Sequence, residues 1–221
     1  MIDDLFAELT VEAVDRMLAE NVAGQSDHSL ARVAARLTPA ADREASQFDP
    51  ELASRLQSAY FGLGVDDLAE LSAAVHEWVL EHMAATVREW TPEMLGTVVT
   101  LYFLYPESTL RSAVVGLLLQ VDRQQRAREQ SRDEPPVTGI VRSIAEDDGL
   151  DNASRSRSLL ELSDFVIDYV DVFPAEAARS LADVVRAGRD DQLRAHVLLW
   201  AERLGGEAGQ LILRAIEGLA P

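Results

Sequence analysis

Across 221 residues the chain carries 38 acidic side chains against 20 arginines, with no lysine and no cysteine, for a formal net charge of −18. Without lysine there is no Schiff-base chemistry and no Walker A loop; without cysteine there is no thiol nucleophile, disulfide or thiolate zinc site. The reactive groups that remain are carboxylates, hydroxyls and four histidines.

Replacement of every lysine by arginine points to a GC-rich genome, and the acid excess points to a surface selected for salt, as in a halophile or a high-GC actinobacterium. A charge this far from zero adds self-repulsion to the compact state, and salt relieves it by shortening the Debye length to roughly 3 Å at 1 M. Stability that rises with salt is the expected consequence. The opening Met-Ile-Asp-Asp-Leu-Phe lacks the basic start and apolar stretch of a secretory signal, which predicts a cytoplasmic protein. The longest apolar stretch, Met94 to Tyr105, is too short for a span of roughly 20 residues, and no membrane contact is expected.

In chain order, the pattern reads as helices punctuated by Pro and Gly. Ile2 to Val22 carries Leu5, Leu9, Met17 and Leu18 among acids, and Ser29 to Leu37 repeats this on a shorter scale. Asp49-Pro50 supplies an N-cap and first turn for a helix ending near Gly62 and Gly64. From Asp66 to Trp90, Leu68, Leu71, Val75, Trp78, His82 and Ala85 fall at three- and four-residue spacing, one buried stripe. Thr91-Pro92 caps the next helix, whose Val98 to Tyr105 segment is apolar almost all round and reads as a central, fully buried helix. Pro106 breaks it. A long helix follows through Leu117 and Val121 into Arg123, Arg126, Arg128 and Arg132.

Asp133-Glu134-Pro135-Pro136 is the clearest linker, since two prolines cannot continue a helix. A short helix around Ile140 and a weakly patterned stretch from Glu146 to Ser158 come next. Beyond them Leu162, Phe165, Val166 and Tyr169 form a stripe that Pro174 ends, and helices over 174–187, 191–204 and 209–219 complete the chain. The expected organisation is an N-terminal helical region (1–131), a linker with a short helix (132–158) and a C-terminal helical region (159–221), or one continuous domain. The fold class is all-α: stacked αα-hairpins forming a helical-repeat-like array or an irregular helical bundle.

A shift of 68 positions aligns Val98 with Val166, Pro106 with Pro174, Arg111 with Arg179, Asp122 with Asp190, Gln124 with Gln192 and Arg126 with Arg194. The shared unit is an apolar helix, an aromatic-Pro corner (Tyr105-Pro106, Phe173-Pro174) and a second helix with Arg-Ser on its second turn. Proline preorganises that first turn, and the aromatic can pack across the corner. Either a duplicated hairpin or two hairpins converging on one corner accounts for the echo. No named repeat pattern matches.

His28, His76, His82 and His196 show none of the spacings that bring metal ligands onto one helical face. His82 lies on the stripe of Trp78 and reads as a packed, hydrogen-bonded core histidine; His196, beside Val197 and Leu198, reads the same way. Glu161, Asp164, Asp168 and Asp171 recur at spacings of three, four and three, one acidic ridge that could hold Mg²⁺ if a second helix supplied matching acids. Glu161-Leu-Ser-Asp164 resembles the E-x-x-D half-motif of the all-α nucleotide pyrophosphohydrolases, the MazG-like family, a resemblance that implies a magnesium-centred helical bundle with Glu161 and Asp164 as ligands, to which the ridge adds Asp168 as a candidate. The resemblance covers about a dozen residues. The family's companion E-E-x-x-E helix has its nearest counterpart in Asp66-Asp67-Leu-Ala-Glu70, far upstream, and a solvated acidic ridge is the ordinary outcome in so acidic a chain.

Residues 30–43 have the cadence of a helix-turn-helix, but Asp42 and Glu44 flank the only basic residue, Arg43, that would enter a groove. Residues 1–96 carry six arginines against 18 acids, which opposes phosphate contacts. The one locally basic stretch is Arg111 to Arg132. The function expected is protein–protein interaction or assembly without catalysis, as an adaptor, regulator or complex subunit, with a Mg-dependent pyrophosphohydrolase-like or ligand-sensing bundle and a DNA-binding regulator as alternatives. The partner is another protein or a second copy, nucleic acid being disfavoured. No cofactor and no catalytic residue are assigned, and Arg111, Arg123, Arg126, Arg128, Arg179 and Arg194 are the interaction candidates.

Overall fold

The computed structural model describes residues 60–71, 73, 76, 77, 79, 80, 87, 89–128 and 134–217. The helices expected over 2–22 and 29–37, the Asp49-Pro50 cap, the helix-turn-helix cadence, Trp78 and His82 lie outside the described residues. The protein is all-α, with no strand among the described residues. The chain divides into two compact units, residues 1–113 and 114–221. That division falls inside a helix rather than at the Asp133 to Pro136 stretch.

In the first unit, α1 (Val65–Glu70) packs against α2 (Pro92–Leu104). The stripe expected to run unbroken from Asp66 to Trp90 is interrupted: the chain bends at Leu71, and Glu89 and Trp90 stand outside any helix. Leu68 and Leu71 of that stripe are buried, and so are Val79 and Leu80, which lie off it, while Val75 and Ala85 fall outside the described residues. α2 begins as its sequence dictates, with the Met94 amide donating to Thr91 Oγ1 (3.3 Å) and Pro92 in the first turn. It is not buried all round. Leu95, Val98, Leu101 and Tyr102 form a single buried stripe, and Phe103 on the far side is 44 % exposed.

α3 (Ser108–Ala127) is the more deeply buried helix: Val114, Val115, Leu117, Leu118, Leu119 and Val121 are all covered. Its glycine has a packing reason. A Cβ at Gly116 would stand 2.5 Å from Tyr169 Cζ, so the absent side chain is what lets that ring approach.

The second unit is a helical bundle around α6 (Pro174–Gly188), which packs against α4 (Thr138–Glu146), α5 (Asn152–Asp168), α7 (Asp191–Leu204) and α8 (Gly206–Glu217). Ala177, Ala178, Leu181, Val184 and Val185 are buried on α6, more of its circumference than a one-sided helix covers. α5 and α7 begin at aspartate caps: Asp151 accepts from the Ser154 amide (2.7 Å) and Asp190 from the Gln192 amide (2.8 Å). Those bonds hold both carboxyls below the usual carboxylate range. Gly205 and Gly206, at φ 60° and 55°, turn the chain from α7 into α8 in a conformation glycine alone adopts without strain. The short helix expected around Ile140 is α4. It buries Ile140, Val141 and Ile144 against α5 and α6, so it belongs to the bundle.

The 68-residue echo holds only in part. Pro174 opens α6, whereas Pro106 sits in the connection 105–107 before α3 starts. Asp122 is buried within α3, while its counterpart Asp190 is the exposed-side cap of a new helix. Asp122 and Asp190 therefore occupy different local structures, although the aligned residues that follow are helical in both places.

Candidate functional site

Most of the arginines expected to face a partner are engaged within their own unit. Arg111 donates from Nε to the carbonyls of Tyr102 (3.1 Å) and Tyr105 (3.0 Å), satisfying the exposed end of α2, with its guanidinium 5.1 Å from the Tyr102 ring. Arg123 lies over Phe173 and donates to the Val172 carbonyl (3.3 Å), holding the α5–α6 corner. Arg126 and Arg179 converge on Asp122, at 3.3 and 3.5 Å. Asp122 is 3 % exposed. Burial raises its carboxyl to about 6, Arg126 opposes that rise and Glu176 adds to it. Arg128 on the end of α3 is exposed and Arg194 on α7 is half-buried.

The acidic ridge places Asp164 and Asp168 on the outside of α5 with Glu161 half-buried beside them. Among the described residues, no three His, Cys, Asp or Glu side chains converge as a metal site would require. Asp164 has another role: its Oδ1 lies 2.7 Å from His196 Nε2 on α7. His196 is thus not the packed core histidine its apolar neighbours suggested. Its side chain is 28 % exposed, with Trp200 edge-on beside it.

A different histidine fills the core role. His76 is fully buried in the first unit, where Tyr60 donates its hydroxyl to Nδ1 (2.5 Å) and Nε2 donates to the Leu68 carbonyl (3.1 Å). Tyr105 completes the cluster by donating to the carbonyls of Leu68 and Leu71. Burial lowers the His76 pKa to about 4, so the imidazole stays neutral. With both nitrogens occupied and no solvent access, this cluster is structural.

The sequence reading missed a concave feature of the second unit. Two adjoining grooves, of about 960 and 710 Å³, share Asn152, Ser156 and Asp190 where α5 and α7 begin. The larger is bordered by Arg142 on α4, Arg155 on α5, Arg186 on α6 and Arg189 beyond it. The smaller runs toward His196 past Arg157 and Leu160. Arg155 supports the structure from within, donating to the carbonyls of Ile144 (3.3 Å), Asp147 (2.9 Å) and Leu150 (3.1 Å) and to Asn152 Oδ1 (3.1 Å). Arg142 pairs with Glu134 and Arg186 with Asp183, each at 2.5 Å; Asp183 also accepts from Thr138 Oγ1 (2.8 Å).

No hydrogen bond joins Ser156 to His196: Ser156 is turned to Asp190 and His196 to Asp164. The hydroxyl and imidazole that line this trough do not form a nucleophile–base pair. What the trough offers is side-chain donors and acceptors spread along an open channel. The surrounding residues 114–221 carry 13 arginines against 19 acids, and residues 1–113 carry seven against 19, so the trough lies in the less acidic part of the chain. No protein-family model, curated protein or solved structure matches the chain.

Proposed function

We propose that the protein is a non-catalytic interaction protein that holds a segment of a partner protein in the trough bordered by α4, α5, α6 and α7. The observation that carries this reading is that the two grooves share Asn152, Ser156 and Asp190, so that hydrogen-bonding groups of both border one polar-edged surface. Such a lining suits an extended chain with many small contacts better than a compact substrate gripped at one reacting atom. The engagement of Arg111, Arg123 and Arg179 inside the protein moves the expected contact surface from those residues to the trough.

The test is a pulldown from native lysate with the full chain, compared with Ser156→Trp, which obstructs the channel where the two grooves join. A stoichiometric partner is expected with the native chain and lost with the variant. Retention of that partner by a correctly folded Ser156→Trp protein would refute the trough as the binding surface. Mg²⁺-dependent release of pyrophosphate from nucleoside triphosphates, abolished by Asp164→Ala, would establish the enzymatic alternative instead.

A further inference from the structure

Among the described residues, Arg189 alone is a non-glycine residue with positive φ, at φ 47° and ψ 34°. It follows the last residue of α6, the position where a left-handed residue commonly ends a helix and where glycine is least strained. A glycine is present one residue earlier for a different reason. A Cβ at Gly188 would stand 2.5 Å from Leu193 Cδ2 and 3.4 Å from Leu159 Cδ1, both in the buried core, so a side chain at 188 would have to displace the end of Leu193. Position 189 is exposed, yet it carries a large cation in a conformation that suits glycine. Backbone strain kept where an unstrained residue would serve points to use of the side chain.

The surroundings of Arg189 show what that use is. The other three arginines of the larger groove have partners: Glu134 for Arg142, Asp183 for Arg186, and four acceptors for Arg155. Among the described residues, no hydrogen bond or ion pair engages Arg189. We infer that the larger groove takes an acidic peptide segment of the partner, and that Arg189 anchors it by pairing with a carboxylate. This inference rests on the interaction reading above and adds the chemistry of the occupant.

Charge and geometry select that occupant. The planar guanidinium fork matches a carboxylate through two parallel hydrogen bonds. Arg142 and Arg186 have half-exposed to exposed side chains. Ion pairs at such sites contribute little to stability, so these two can exchange Glu134 and Asp183 for carboxylates of an incoming segment. Asp183, Asp190 and Asp191 stand in the same wall and oppose any dense run of anions, phosphates and carboxylates alike, so the occupant is a segment whose carboxylates are spaced apart and meet the arginines. For a peptide, pairing acts within the Debye length of about 8 Å at physiological salt, so the net charge of the chain slows encounter without preventing contact.

The substitution Arg189→Gly removes the guanidinium and the strain together, and therefore separates a ligand anchor from a structural arginine. The full chain is titrated with a fluorescein-labelled peptide of alternating glutamate and glycine, read by fluorescence anisotropy at low salt, with a uridine oligonucleotide of equal length alongside. The expected result is peptide binding that weakens at least tenfold in Arg189→Gly while the melting temperature is unchanged or raised; Arg214→Gln, on α8 outside both grooves, binds as the native chain does. Absence of peptide binding, equal binding by Arg189→Gly, or tighter binding of the oligonucleotide would each overturn the inference. Should it fail while the pulldown still returns a partner lost on Ser156→Trp, the interaction reading stands and only the acidic occupant is removed.

Discussion

Asp122 and Arg179 face one another at 3.5 Å, with Asp122 buried on α3 and a second arginine, Arg126, closing on the same Oδ1 from the next helical turn. The other oxygen, Oδ2, has no hydrogen bond, and neither do Gln125 Oε1 and Ser180 Oγ, which are also buried. The pair therefore sits in a polar seam whose needs are only partly met. Such arrangements are costly to break from one side and inexpensive to remove whole.

Arg179→Leu should accordingly destabilise the protein by about 3 kcal/mol, because Asp122 keeps its burial and loses one of its two cations. The double variant Asp122→Leu with Arg179→Leu should recover most of that loss. Urea denaturation at neutral pH measures both. A double variant less stable than the single would show that the pair contributes net attraction.

The two units should respond to acid in opposite directions. Asp122 has a folded pKa near 6 against 3.8, so the native state holds the proton longer; its contribution is complete below about pH 4 and is lost as pH rises through 6. His76 has a folded pKa near 4 against 6.5, so the unfolded chain takes the proton first; its contribution is complete above 6.5 and is lost as pH falls toward 4. Each full swing corresponds to roughly 3 kcal/mol. Between pH 7 and 5, hydrogen exchange corrected for intrinsic rates should show α2 losing protection and α6 gaining it. Asp122→Asn should flatten the α6 response and leave that of α2 in place.

Two glycine-to-alanine changes should have opposite signs. At Gly209 a Cβ would collide with the backbone carbonyl oxygen of Ala201, where α8 crosses α7, so Gly209→Ala should cost about 1–3 kcal/mol. At Gly96, in α2, a Cβ meets nothing within 4 Å, and Gly96→Ala should stabilise by about 0.5–1 kcal/mol through helix propensity. Thermal melts of the two variants give the comparison directly.

Salt should raise the melting temperature, and protection should increase more in residues 1–113, with seven arginines against 19 acids, than in 114–221, with 13 against 19. A melting temperature that falls between low salt and 2 M KCl would contradict the self-repulsion reading of the composition.

What the sequence disclosed was local chemistry. Thr91-Pro92, Pro174 and the helix around Ile140 were legible because caps, first-turn prolines and short apolar periodicities act over a few residues. The relative burial of α2 and α3 was not, since both are strongly apolar and only tertiary contacts decide that Phe103 faces solvent while Leu117, Leu118 and Leu119 do not. The Asp164–His196 pair joins two helices through a contact that no spacing rule reports. The trough was hidden for a similar reason: its borders come from four helices, and Arg189 looks like any surface arginine until its φ is known. The echo misled at Asp122 and at Pro106 because identical residues do not require identical structure.

Arg155 ties the last carbonyls of α4, the turn through Asp147 and Leu150, and the opening of α5 to one planar group. A side chain shared so widely makes those three segments open as one cooperative foldon, because fraying any of them releases bonds in the others. The wall of the trough is therefore not a hinge. A segment held in the proposed trough would meet a preformed edge there, and the ordering entropy of binding would fall mainly on that segment.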